Sequence, residues 1–347
     1  MGLTSLGAMV VETMPTGCAT GLGSLPGEDI DAAVAVVFDD LPDLPYLPEL
    51  PARGPGAQMI GRTATHLVGL AVDLQPAGWR LVDRGGIDRQ RGRDLMTADL
   101  DALMPVAGPG YDGRLKVQLA GPWTLAAALS VPRGGPALGD RGATRDLAES
   151  LAETIREHLA EVARRLPRAA LVLQLDEPSL PAVLAGRVAT ESGFGALRAP
   201  DARVAIEALA TAVAGAGDVP VVVHCCAPQP PVTMLREAGA AAVSIDVLTQ
   251  TPPRDALAEL VESGAALWLG VLESLGPGVP PSPRSVADPV RALWRELGFP
   301  AEQLADTVTL TPTCGLAGAS PGWVRTAHRL VRQAARALAE APEGTRR

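Results

Sequence analysis

The feature that most constrains this chain is an alternation. Eight short apolar runs, at 18–23, 45–50, 116–121, 171–176, 219–225, 241–246, 266–272 and 308–311, are separated by longer stretches with a different period. Several runs are apolar almost throughout, as strands of a parallel sheet are when both faces are buried. Between them, apolar residues recur every three or four positions. In 145–165, Leu147, Leu151, Ile155, Leu159 and Val162 form one stripe with charges on the other face, which predicts an amphipathic helix. The stretches 205–213, 253–263, 288–297 and 323–338 read the same way. Asp288 before Pro289 reads as an N-cap followed by proline at the first helical position. Strand and helix alternating across 347 residues predict an α/β fold, a single (β/α)8 TIM barrel. A doubly wound open sheet is the alternative, but its first strand-to-helix turn should carry a phosphate-binding glycine fingerprint. Here Gly21-Leu22-Gly23-Ser24-Leu25-Pro26 runs on to Glu28 and Asp29, whose charges suit a pyrophosphate poorly.

Residues 1–15 have no clear period and read as a loose N-terminal extension, leaving 16–347 as the catalytic barrel. The long gap 51–115 should hold more than one helix and a loop at 108–113. Further loops are expected at 132–139 and at 276–283, the latter placed to cover the active face after the seventh strand. With aromatics at 3%, the core must be built from Ala, Val and Leu. A net charge of −9 without a basic stripe argues against nucleic-acid binding. No stretch reaches the ~18 to 20 apolar residues of a membrane span. A basic, then apolar, leader is also missing, so the cytoplasm is the expected location.

In such a barrel the reactive groups stand at the carboxyl ends of the strands. Those ends hold Ser24, Glu49, Asp176-Glu177, His224-Cys225-Cys226, Asp246, Glu273 and Cys314. On a strand, alternate side chains share a face, so His224 and Cys226 point together and Cys225 points away. Cys314 follows the eighth run, and Gly315 permits a turn that brings its sulfur over the mouth. One imidazole and two thiolates make a borderline-soft set suited to Zn²⁺ with an open fourth position. The bland alternative is that these are buried thiols beside a core histidine. A zinc held by two thiolates is a poor source of hydroxide but well suited to activating a substrate thiol. Cys18 reads as core, Lys116 as structural, and His66, His158 and His328 as surface or packing residues.

The segments Gly21-Leu22-Gly23-Ser24-Leu25-Pro26, Leu173-Gln174-Leu175-Asp176-Glu177-Pro178, His224-Cys225-Cys226 and Cys314-Gly315-Leu316 resemble, in order, motifs of the catalytic domain of cobalamin-independent methionine synthase. The wider superfamily includes uroporphyrinogen decarboxylase and the corrinoid-dependent coenzyme M methyltransferases. The resemblance runs from about residue 16 to 340. It implies zinc ligands at His224, Cys226 and Cys314. It also implies a homocysteine carboxylate held by Leu22, Gly23 and Ser24, and an amino group held by Asp176. The fourth family ligand, a glutamate, corresponds to Asp246. The family's proton-donating histidine has no counterpart, and Glu273 is the nearby group. The His-Gly-Glu element after the second strand is replaced by Pro51-Ala52-Arg53-Gly54-Pro55-Gly56, so Glu49 is a further candidate for the substrate amine.

The implied activity is a zinc-dependent methyltransferase that activates a small thiol, homocysteine, and converts it to methionine. The methyl donor would be a folate or, because two folate contacts fall on Ala128 and Ala182 and the second barrel of the full-length enzymes is missing, a corrinoid, free or protein-bound. Two alternatives stand beside it. One is corrinoid-protein-dependent methyl transfer to another thiol, such as a coenzyme. The other is a non-catalytic zinc-binding barrel that serves as a partner subunit.

Overall fold

The structure, a computed structural model, describes residues 17–250 and 253–344. The expected N-terminal extension at 1–15 lies outside the described residues. The chain begins with α1 (Ile30–Asp40), α2 (Met59–Ala64), β1 (Ala71–Gln75), β2 (Gly78–Val82) and α3 (Ile87–Asp101). Next come β3 (Arg114–Ala120), α4 (Pro122–Ala128), α5 (Arg141–Arg165), β4 (Ala170–Asp176), α6 (Leu180–Leu184) and α7 (Ala202–Ala214). It continues with β5 (Val221–Cys225), α8 (Val232–Glu237), β6 (Ala242–Asp246), α9 (Arg254–Glu262) and β7 (Ala266–Leu272). The last elements are α10 (Pro283–Leu297), α11 (Leu304–Thr307), β8 (Val308–Pro312) and α12 (Pro321–Glu340).

Strands β3 to β8 form one parallel sheet in sequence order, a half-barrel of six strands. Parallel neighbours need a crossover, and the intervening helices supply it. The first two apolar runs do not form ladders. Instead, Ala19 bridges Leu310 on β8, Tyr46 bridges Lys116 on β3, and Ser24 bridges Glu49 between the two segments, all in parallel. These bridges carry backbone pairs such as Thr20 N to Leu310 O at 3.0 Å and Leu47 N to Lys116 O at 2.9 Å. The architecture is TIM-barrel-like, with six regular strands where eight were expected. The physical reason lies in the sequence: Pro45, Pro48 and Pro51 cannot donate to a ladder, and Gly23 leaves the extended region at φ +130.

The interior is layered. Cys18, Leu44, Val172, Val222, Ala242, Ala266 and Trp268 form an apolar cluster separate from the main core. They stand toward the amino ends of the strands, where alternation turns them inward. Two residues further along the same faces come Thr20, Gln174, His224 and Ser244, and two further still Asp176, Cys226 and Asp246. The floor is apolar and the mouth is polar.

Three local expectations need correction. The gap 51–115 contains an antiparallel hairpin, β1 with β2, joined by Pro76-Ala77 between Gln75 and Gly78. Helix α10 starts at Pro283, not after Asp288. The Ser282 hydroxyl caps it by accepting from Ser285 N at 3.1 Å, which outcompetes Asp288 as a start. Pro289 therefore lies inside the helix, and Asp288 accepts an ion pair from Arg291 at 3.0 Å. Helix α12 likewise starts earlier than expected, at Pro321, capped by Ser320. No helix among the described residues is long and apolar enough to cross a membrane.

Candidate metal centre

His224 and Cys226 stand where β5 delivers them, on one face and two residues apart. Cys225 faces the other way, is buried, and is pushed up to about 12 by that burial, so it stays an inert thiol. His224 Nδ1 lies 3.0 Å from the Ser244 hydroxyl on the neighbouring β6. That contact fixes the ring and leaves Nε2 for the mouth, the usual way a metal-binding imidazole is oriented.

Cys314 arrives from the opposite edge. Past β8 the chain is held by Thr313 N to Leu272 O at 2.8 Å, Cys314 N to the Ser274 hydroxyl at 3.0 Å, and Leu316 N to Ser24 O at 2.8 Å. Two glycines permit this close approach. A Cβ on Gly315 would collide with the Ser24 hydroxyl, and one on Gly270 would lie 2.8 Å from Thr313 Cα. As a result Cys226 Sγ and Cys314 Sγ are 3.6 Å apart. The donor atoms of His224, Cys226 and Cys314 all lie within 4.8 Å of one another, the one such group of His, Cys, Asp or Glu among the described residues.

The donor set passes a chemical test for zinc. Contacts with the Cys226 sulfur and the His224 ring hold the Cys314 thiol well below the ordinary thiol range, while the same sulfur–sulfur contact pushes Cys226 up. One imidazole nitrogen and two sulfurs are the borderline-soft donors that Zn²⁺ takes, with a fourth position left open. Asp246 is not in the group. Its carboxylate folds back onto its own loop, accepting from Leu248 N at 2.8 Å, Thr249 N at 3.0 Å and the Thr249 hydroxyl. Glu273 is exposed at the rim, where its carbonyl accepts from the Trp323 indole at 3.2 Å.

The other expected residues gather beside it. Asp176 is the register partner of His224 across β4 and β5. It is 7% exposed, and burial raises its carboxyl to about 7 against the lowering pull of His224. Gln174 Nε2 donates to Asp176 Oδ1 at 2.8 Å and to the Leu22 carbonyl at 2.9 Å, so one amide ties the carboxylate to the 22–24 segment. Glu49 is buried, lies 3.7 Å from Arg62 Nε, and is raised by desolvation. The adjacent acids Asp176 and Glu177 divide their work. Glu177 turns away to cap α4, accepting from Trp123 N at 2.8 Å, Thr124 N at 2.9 Å and the Thr124 hydroxyl at 2.8 Å.

Three residues important here were not singled out by the sequence reading: Gln174, Ser244 and Arg62. Gln174 and Ser244 each sit two positions before a predicted site residue on the same strand face, which is the signal that could have found them. Arg62 sits on α2, in the 51–115 gap where no strand period marks it, and only its neighbours in space reveal it.

The sequence model of a family described as the catalytic domain of cobalamin-independent synthase matches residues 108–337. Among solved structures, a B12-independent methionine synthase from Shewanella sp. W3-18-1, in complex with selenomethionine, matches at 14% identity and a TM-score of 0.60. The alignment covers 92% of this chain and 97% of that one. A methylaspartate ammonia lyase variant from Clostridium tetanomorphum aligns at 13% identity and a TM-score of 0.45, covering 96% of this chain and 62% of that one. No curated protein sequence matches.

Proposed function

The chain belongs to the cobalamin-independent synthase catalytic-domain family, and from that premise we propose that it is a zinc-dependent methyltransferase acting on a small thiol. Homocysteine is the proposed acceptor and methionine the product, with residues 16–347 acting as one (β/α)8 barrel. The observation that carries this reading is the grouping of His224, Cys226 and Cys314 within 4.8 Å at the carboxyl ends of β5 and β8. A shared-length relative supports it, since the Shewanella methionine synthase is itself matched over 97% of its chain.

His224, Cys226 and Cys314 would hold the ion, which when bound supplies a Lewis acid that brings a substrate thiol's pKa toward neutral. The chain's own residues do the rest. Ser244 keeps the His224 ring in one orientation. Asp176, buried beside it, accepts the substrate ammonium, and the Leu22-Gly23-Ser24 segment receives the carboxylate. Glu273, on the exposed rim, is the group proposed to pass the thiol proton to solvent. A reducing cytoplasm would keep Cys226 and Cys314 as the free thiols that the site requires.

The donor is the finer point. Ala128 and Ala182 offer no polar group to a folate, which favours a corrinoid. Membership in a cobalamin-independent family weighs the other way, and a methyl-folate is therefore the first donor to test. The experiment is zinc analysis of the purified protein and of Cys314→Ser, with homocysteine titrated into each, then methyl transfer from methyltetrahydrofolate and from methylcobalamin. About one zinc per chain, lost in the variant, with proton release on adding homocysteine, is the expected result. Zinc that ignores every thiol would sink the proposal.

A further inference from the structure

Lys116 is the chain's only lysine, and it lies fully buried inside the barrel. Its Nζ is 2.8 Å from Gln174 Oε1, 3.3 Å from Gln118 Oε1 and 5.2 Å from the centre of the Tyr46 ring. An ammonium has three donors and no acceptor. Both amides must therefore turn their oxygens toward it, and their nitrogens are forced the other way. Gln174 Nε2 then reaches Leu22 O and Asp176 Oδ1, and Gln118 Nε2 reaches Leu47 O at 2.6 Å. Leu22 begins the segment proposed to hold the substrate carboxylate. Asp176 is proposed to hold the substrate amine. Gln118 packs on the same segment, since a Cβ on Gly23 would lie 3.1 Å from its side-chain amide.

We propose that Lys116 is a positioning residue for substrate recognition, setting the polarity of Gln174 so that this amide locks Asp176 in the direction that receives the amine of an α-amino acid thiol. The inference deepens the thiol-methyltransferase reading and rests on it. Without the ammonium, the Gln174 amide is free to flip. Its oxygen would then face a carbonyl and a carboxylate, two acceptors it repels. The carboxylate would lose its fixed direction, while the metal residues, which come from β5 and β8, would keep theirs. Burial lowers Lys116 to about 8, with Asp176 and Glu49 pulling the other way, so near neutral pH it still carries its proton.

The test compares Lys116→Met with the unaltered protein, using homocysteine and 4-mercaptobutyrate, which lacks the amino group. Homocysteine binding should weaken about ten- to a hundredfold, the worth of one charge-assisted contact, with 4-mercaptobutyrate binding and zinc content unchanged. Equal weakening for both thiols, or for neither, overturns the inference and leaves the thiol reading standing. If the unaltered protein binds neither thiol, both fall together. Gln174→Met should reproduce the same selective loss, and combining it with Lys116→Met should add little, because Lys116 acts through Gln174. Should neither variant fold, labelling with ¹⁵N-lysine gives the unaltered protein a single side-chain ammonium signal. Homocysteine must shift that signal and 4-mercaptobutyrate must not; a signal indifferent to both overturns the inference.

Discussion

Across the barrel mouth, the β5–β8 side presents an imidazole and two thiols, whereas the side made by 22–50, β3 and β4 presents carboxylates and amides. The first set is positioned by backbone. His224 lies in the β5–β6 ladder with Cys226 just past its end, and the turn carrying Cys314 is held by its own backbone N–H groups, Thr313 N to Leu272 O and Cys314 N to the Ser274 hydroxyl. The second is positioned by side chains acting on one another, from Lys116 through Gln174 to Asp176, and from Arg62 to Glu49 and Asp99. A metal site built on ladders tolerates change nearby but not loss of a ligand. A site built on a buried polar network is sensitive to each member, because a partner left unsatisfied pays its full desolvation cost.

The largest effect should come from the backbone-positioned side. Cys226→Ala should abolish stoichiometric zinc and lower methyl transfer about a thousandfold or more, read by metal analysis and turnover. A variant that keeps zinc and activity would break the comparison, since the ligand set would then lie elsewhere. Next, the neighbours Asp176 and Glu177 should separate cleanly. Glu177→Ala leaves Trp123 N and Thr124 N without their cap and should cost about 2–3 kcal/mol of stability in thermal or denaturant unfolding. Asp176→Asn should leave stability nearly unchanged but weaken homocysteine binding at least tenfold. Equal stability losses at both positions would mean that Asp176 is also structural. Ser244→Ala frees the His224 ring and should reduce zinc affinity roughly tenfold, measured by competition with a chelator. Glu273→Gln should have the smallest effect, about a few-fold in turnover with binding intact, because an exposed carboxylate is readily replaced by water.

The same contrast explains what could be read from sequence. The His224-x-Cys226 spacing is legible because a strand's period of two is strict, and the glycine after Cys314 marks the turn that brings it over. The parallel sheet is legible because its strands are buried on both faces. The hairpin β1–β2 is not: Ala71-Val72-Asp73-Leu74-Gln75 is short and mixed, and its turn lacks an Asn-Gly or Asp-Gly signal. Pro289 misleads because proline marks helix starts on average, yet a better cap at Ser282 lies upstream. The spacing of strand ends places Asp246 at the mouth, but only the folded loop shows its oxygens already engaged by Leu248 and Thr249. Gln174 escapes notice, and Lys116 reads only as structural, for a deeper reason. Their meaning is a direction of hydrogen bonding, and that appears only once β3 and β4 lie side by side.

The apolar floor has a consequence for traffic. Cys18, Leu44, Val172, Val222, Ala242, Ala266 and Trp268 pack together toward the amino ends of the strands, so among the described residues the polar mouth is the side that faces an incoming ligand. On the proposed reaction, a thiol bound deepest would enter first and leave last, and a bulky methyl carrier arriving second would sit above it. That proposed order predicts a queue: steady-state measurements should show an ordered sequence, with the methylated thiol competing against its own precursor for the unliganded protein.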